Sequence, residues 1–206
     1  GDNITCNSFF DLFTESQVRA LDVTDYEGAD IIHDLSNPLP DEMAEQHDLV
    51  FDGGCLDNLF DPAMALRSMA RLVRPGGRVV TMVIGSYYPS AYLMFSPDWF
   101  YDYYVANDFA DCKAYMGLFD EIEGVWTMLH WHPVIGDVYA YNLLQLKVTQ
   151  KVMLVVVAEK GENSTWDKSP VQTHYRPPEE VQLFLDRARR MAATDRPIFN
   201  TGFMTD

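Results

Sequence analysis

The sequence predicts one α/β domain: a mostly parallel, twisted sheet with helices on both faces, closed by an antiparallel strand pair toward the C-terminus. Three observations predict it. Residues 48–83 read as strand, loop, helix, tight turn and strand, the βαβ unit from which open α/β sheets are built. Short apolar runs end in acidic or glycine-bearing loops, as buried parallel strands do where such sheets bind ligands. At 206 residues the chain suits a single domain and can bury a full core.

The front of the chain is the least regular. Phe9, Phe10, Leu12 and Phe13 form an apolar cluster expected to pack on the sheet. Residues 18–23 read as a strand ending at Asp22, and 29–33 as a second, followed by Asp34 and Leu35. A turn with two prolines spans 36–40, and 41–47 is a short acidic helix or loop.

In the 48–83 unit, the apolar run 49–51 opens into Asp52-Gly53-Gly54. Asp61 is placed to cap a helix, since its carboxylate accepts from orphan N–H groups, and Pro62 suits the first helical position. Leu66, Met69, Ala70 and Val73 fall at i, i+3, i+4 and i+7, one buried stripe. Arg67, Arg71 and Arg74 lie on another face and gather toward the C-terminal end, where the helix dipole favours cations. Pro75-Gly76-Gly77 then stops the helix, and 78–83 is the next strand.

Beyond it, Ser96-Pro97 starts a helix in which Trp99, Phe100, Tyr103 and Tyr104 recur near helical spacing. Core packing is the simpler account of that stripe, and the polar tips of the tyrosines leave a pocket wall open as the other. Residues 109–119 and 150–159 are the closing strands, with 121–149 inserted between them. The insertion carries Trp126, His130, Trp131 and His132 and is expected to cap the pocket mouth. A polar linker follows over 161–178. Glu179 and Glu180 begin a last helix with Val181, Phe184, Leu185 and Ala188 as its stripe and Arg187, Arg189 and Arg190 near its end.

Composition narrows the function. A net charge of −16 argues against long contacts with nucleic acid or with anionic membrane surfaces. The three cysteines, Cys6, Cys55 and Cys112, have neither CxxC pairing nor metal-ligand spacing, which fits reduced thiols and a cytoplasmic setting. No apolar run approaches the roughly 20 residues of a membrane span, and no signal peptide is visible. His130 and His132 form a His-x-His pair without a third ligand at sensible spacing, so no metal is expected. Cys55 lacks an evident partner base and reads as a buried structural thiol rather than a nucleophile.

An ordered set of short motifs carries a resemblance. Residues 25–29 (DYEGA), 33–35 (HDL), 38–40 (PLP), 52–54 (DGG), 72–77 (LVRPGG) and 95–97 (FSP) together resemble a branch of the class I S-adenosylmethionine-dependent methyltransferases, over about half the chain. The resemblance implies a Rossmann-like fold with a cofactor half over 1–83 and a substrate half over 84–160, followed by the linker and helix of 161–206. It implies S-adenosylmethionine as cofactor. Gly1 and Asp2 would belong to the glycine loop around its methionine part, Asp22 with Val23 would meet the ribose, and Asp34 with Leu35 the adenine. Asp52, Gly53 and Gly54 would complete that site, the glycines letting a ligand approach the backbone. For Asp22 and Asp34 the competing account is the capping of their own turns.

The expected function is methyl transfer to a small molecule, with Asp57, Asn58, Tyr92, Trp99, His130 and His132 as candidate pocket residues and no fixed catalytic residue. The branch carries an acidic-His pair where this chain has Asp57-Asn58, and Asn cannot act as a general base. A methyltransferase-fold binding module without catalysis is therefore the alternative. A nicotinamide-dependent oxidoreductase is weaker, because no GxGxxG occurs. In the fold that the chain resembles, a central strand would precede Gly1, between the strands ending at Asp22 and Asp52. The expectation is that a preceding segment, a partner chain or a second copy fills that slot.

Overall fold

The computed structural model describes residues 6–12, 15–26, 28–86, 91–131, 133, 150–172 and 175–193. These residues form α1 (Cys6–Phe10), β1 (Leu21–Asp22), β2 (Ile31–Ile32), β3 (His47–Asp52), α2 (Pro62–Leu72), β4 (Val73–Ile84), α3 (Pro97–Ala106), β5 (Asp111–Phe119), β6 (Thr127–Trp131), β7 (Lys151–Glu159) and α4 (Pro178–Ala193).

The main sheet runs β3-β4-β7-β5-β6, and β1 pairs with β2 in a separate parallel ribbon. Within the main sheet only β3 and β4 are parallel; β7 is antiparallel to both β4 and β5, and β6 to β5. The sheet is thus mixed, which corrects the mostly parallel sheet expected from sequence. An apolar run reports burial and not direction. β7 lies between β4 and β5 and reverses the sheet at its centre. The two front strands shrink to two residues each, because the ribbon shares no ladder with the main sheet.

The register shows which face is covered. Val79 and Val83 of β4, Leu154, Val156 and Ala158 of β7, and Cys112, Ala114 and Leu118 of β5 join one buried cluster with residues of α2, α3 and α4. These strand residues stand opposite one another in the ladders and so share one face. Among the described residues, α2, α3 and α4 therefore cover one face together. On the other face Leu49 and Phe51 are exposed, Val80 and Met82 are half-buried, and α1 touches it through Phe10 on Phe51. The C-terminal helix α4, which the sequence places after a linker, takes space on the covered face.

Local chemistry explains the central unit. Asp61 caps α2 by accepting from the Met64 N–H at 3.1 Å, with Pro62 in the first turn. Leu66, Met69, Ala70 and Val73 are all buried, as their spacing requires. The helix ends earlier than expected, at Leu72, and β4 begins at once. Pro75-Gly76-Gly77 makes an irregularity inside the strand: His47 pairs with Val73, yet Leu49 pairs with Arg78. Gly76 takes φ +78°, and a Cβ on Gly77 would stand 2.7 Å from the Asp48 carbonyl. Lys160 secures this junction. It is buried, and its ammonium donates to the carbonyls of Ala70 and Val73 at 3.0 and 2.9 Å and meets Glu45 at 3.1 Å.

The segment expected to be a linker is tied down. Fully buried Asn107 donates to the Tyr103 and Lys168 carbonyls and accepts from the Thr165 hydroxyl and the Lys168 N–H. Beyond it, Arg187 and Arg190 of α4 both reach Asp108, and the Tyr101 hydroxyl donates to the Ala188 carbonyl. Phe184, Ala188 and Met191 form the fully buried part of the α4 stripe.

Candidate functional site

The carboxyl end of β3 gathers the sequence's acidic candidates. Asp52 closes the strand and is 3% exposed. Its Oδ1 accepts from the N–H groups of Gly54 (3.1 Å) and Cys55 (2.7 Å), while Oδ2 is enclosed with no hydrogen-bond partner. Burial lifts this carboxyl to about 6, against the pull of the loop N–H donors and with a further push from the charge of Asp57. Gly54 is required by its φ of +110°, whereas the space beside Gly53 is occupied by the Phe51 ring, 3.0 Å from where a Cβ would sit.

Asp57 is buried one turn further on, and burial raises its carboxyl too. Asn58 bridges the loop, donating to the Gly54 carbonyl at 2.8 Å and to Asp57 Oδ1 at 3.2 Å. The Tyr92 N–H donates to the Asp57 carbonyl at 2.8 Å, so the loop after β4 lies across the loop after β3. Cys55 is exposed, not buried as expected, yet its thiol is pushed up to about 11 by desolvation and then by the charges of Asp52, Asp22 and Asp57. Such a thiol is not a nucleophile at neutral pH.

Other candidates fall differently. Asp22 ends β1, and its Oδ1 accepts from the Thr24 N–H, the turn-capping role. Asp34 gives Oδ1 to the Ser36 N–H and Oδ2 to the Asn37 amide, so both oxygens serve its own turn. Val23 is exposed and Leu35 packs against the core. Trp99 rests on Phe95 and Phe100 at the start of α3, where Ser96 makes no side-chain cap. His130 is displaced furthest. It lies on β6 at the opposite edge of the sheet, on the face away from the helices, stacked on Tyr115. Residues 127–131 extend the sheet edge instead of capping the mouth, and Trp126 stacks on Phe119. The reason lies in Thr127–Trp131, whose alternating residues complete the ladder of β5. Gly1, Asp2 and His132 lie outside the described residues.

Sequence reading passed over Phe60. It is 93% exposed, with its ring 6.4 Å from that of the exposed Tyr92, an aromatic rim beside the acidic loop. Its one signal was its place just before the Asp61 cap, where an apolar residue ordinarily packs down on the helix. Among the described residues no group of three or more His, Cys, Asp or Glu side chains is arranged to hold a metal ion. No helix among them is long and apolar enough to cross a membrane.

No protein-family model matches the sequence. No curated protein matches it either. Among solved structures, the chain is similar to a crystal structure of an S-adenosylmethionine-dependent methyltransferase from Thermotoga maritima, described as a possible histamine N-methyltransferase. The TM-score is 0.44 at 16% identity, covering 63% of this chain and 62% of that one. The match thus spans less than two thirds of either chain.

Proposed function

We propose that this chain is an S-adenosylmethionine-dependent methyltransferase domain acting on a small molecule. The observation that carries the reading is the pair of buried carboxylates, Asp52 and Asp57, in the loop after β3, with Asp52 Oδ2 enclosed and without a hydrogen-bond partner. A field of one sign in a partly desolvated site favours a cationic ligand. The unpartnered Oδ2 of Asp52 asks for a donor, which makes the residues present a fit for a cofactor bearing an ammonium and a sulfonium.

When bound, S-adenosylmethionine supplies an electrophilic methyl group on that sulfonium. Asp22 would accept from the ribose hydroxyls, and Asp52 with the Gly54 turn would line the cationic end. Burial raises the Asp52 carboxyl to about 6, and a cation bound against it would hold it in its charged form. Asn58 orients the loop and carries no proton chemistry. The exposed Phe60 and Tyr92 rings would offer apolar surface to a ligand beside the loop. Beside this half, the outer edge of β3 has no strand partner among the described residues. A strand from a partner segment or a second copy would complete it there.

Calorimetric titration with S-adenosylmethionine, S-adenosylhomocysteine and NAD tests the reading. Binding of the first two without NAD is expected, and Asp22→Ala should weaken it by about 1–3 kcal/mol, more than Asp57→Ala does. Binding of NAD alone, or of none, overturns it. Asp34, with both oxygens committed, favours a second reading: a binding module of the same fold without catalysis. Cofactor binding with no transfer of a labelled methyl group to small-molecule extracts would select it.

A further inference from the structure

A cleft whose lining shares no residue with the acidic loop lies between the first two turns of α2 and of α3. It encloses about 360 Å³ and is lined by Arg67 from α2, by Asp98, Trp99, Asp102 and Tyr103 from α3, and by Ser169 from the following segment. That volume lies at the lower end of the range of small-molecule sites, about 300–1,000 Å³. We propose that this cleft is a binding site for a small zwitterion of the amino-acid type, its ammonium on Asp98, its carboxylate on Arg67 and its apolar or aromatic side chain against Trp99.

The argument starts from charges that share one cavity without combining. Arg67 donates to the Ser169 hydroxyl at 2.5 Å, and no ion pair forms with it among the described residues. Asp98 likewise has no ion-pair partner among them, and its carboxyl is raised by desolvation. Asp102, one helical turn on, is held from behind. Arg176 faces it at 3.6 Å, beyond a good hydrogen bond, and Arg176 is itself only 5% exposed at its side chain. The Nε and Nη2 groups of that guanidinium have no acceptor, and its face lies over the Phe184 ring at 3.6 Å. This cation is under-supplied with acceptors, so Asp102 is committed to it and Asp98 is left to the cleft.

The aromatic wall is held before any ligand arrives. Trp99 packs edge-on to Phe100, with centroids 4.9 Å apart, and against Phe95 at 4.8 Å. Tyr103 is fixed by its hydroxyl, which donates to the Trp166 carbonyl at 2.8 Å. A rigid wall lowers the ordering cost of binding. A simple amine would leave Arg67 facing an apolar group, and a simple acid would do the same to Asp98. A zwitterion answers both charges at once.

Three probes with one ring separate these cases: L-phenylalanine, 2-phenylethylamine and 3-phenylpropionate, titrated calorimetrically into the full chain without S-adenosylmethionine. L-phenylalanine should bind about tenfold or more tightly than either single-charge probe. Asp98→Asn should bring it down to the level of 3-phenylpropionate, and Arg67→Gln to that of 2-phenylethylamine. Neither side chain anchors the core, so both variants should keep the wild-type circular dichroism, with Asp98→Asn melting at or above the wild-type temperature because desolvation opposes its charge, which is checked alongside. Equal binding of the three probes, binding of none, or variants that leave their order unchanged each overturns the proposal. Because the cofactor is absent from this test, its failure leaves the methyltransferase reading standing, and the converse holds.

Discussion

Among the described residues, three helices cover one face of the main sheet, while the other face is buried at its centre, at Val155, Val157 and Phe119, and exposed at the β3 edge. On the covered face β4 presents Val79 and Val83, each 0% exposed, and on the other face β3 presents Leu49 and Phe51 at 48% and 43%. Phe100 and Tyr104 of α3 fill the space between helix and sheet, also essentially unexposed. The difference follows from the chain's order. α2 and α3 each follow a strand of the main sheet and fold back onto one side, and α4 returns to that side through Asp108 and Asn107. The front of the chain, where the other layer would form, contributes a short helix and a detached ribbon. At the β3 edge, therefore, burial is concentrated on the helix-covered face.

The largest test of that contrast is Phe100→Ala. A phenyl ring removed from a fully enclosed site loses its transfer energy and leaves a cavity, and we expect about 3–5 kcal/mol of lost stability in urea unfolding. Next comes Lys160→Met, which removes charge-assisted bonds to the Ala70 and Val73 carbonyls at the α2–β4 junction. It should cost about 3 kcal/mol, with Glu45→Gln costing well under 1 because Glu45 is half exposed and the carbonyl bonds remain. Similar losses from both variants would mean that the ion pair, not the carbonyl capping, holds the junction.

That junction also shows what the sequence discloses. The stretch 48–83 was legible because its signals are local: Asp61 before Pro62, a stripe at helical spacing, and glycines after it. Even there RPGG was read as a helix stop, when its glycines serve a strand that passes within 2.7 Å of the Asp48 carbonyl at the place of a Cβ. That contact joins residues far apart in sequence, and no local pattern encodes it. The direction of β7 and the common side of α2, α3 and α4 were hidden for the same reason. In the site, Asp52 was legible from its place at a strand end. The commitment of Asp34 to Ser36 and Asn37, and the removal of His130 to the far edge, depend on where turns and ladders close.

Asp52 offers a third test, on the covered face, through pH. Its folded value of about 6 lies above the ordinary 3.8 because burial disfavours the charge. The protonated form therefore favours folding. That contribution is complete below about pH 4 and is lost as pH rises through about 6. Asp52→Asn, which keeps an Oδ1 acceptor for the Gly54 and Cys55 N–H groups, should be more stable than wild type at pH 8, by up to about 3 kcal/mol, and nearly equal to it at pH 4. Asp102 is raised in the same direction, so the variant still loses some stability over that range. Equal stability of variant and wild type at pH 8 would place Asp52 in contact with water or a cation.

The smallest expected effect is the most informative for the contrast of faces. Phe51→Ala makes the same chemical change as Phe100→Ala, two layers away. The Phe51 ring touches Phe10 edge-on, with centroids 5.5 Å apart, and covers the backbone at Gly53, but nearly half of it meets solvent. Its removal gives up part of one ring's burial and one aromatic contact, and no enclosed cavity remains to add its own penalty. We expect about 1 kcal/mol, a third or less of the Phe100 effect, measured in the same denaturant at the same pH. The ratio matters more than either value, because the unfolded chain loses the same ring in both variants. A Phe51 cost equal to that of Phe100 would mean that a further surface covers this edge in solution, from this chain beyond the described residues or from a second copy. Repeating the measurement over a hundredfold range of protein concentration separates these, since only self-association makes the Phe51 cost rise with concentration.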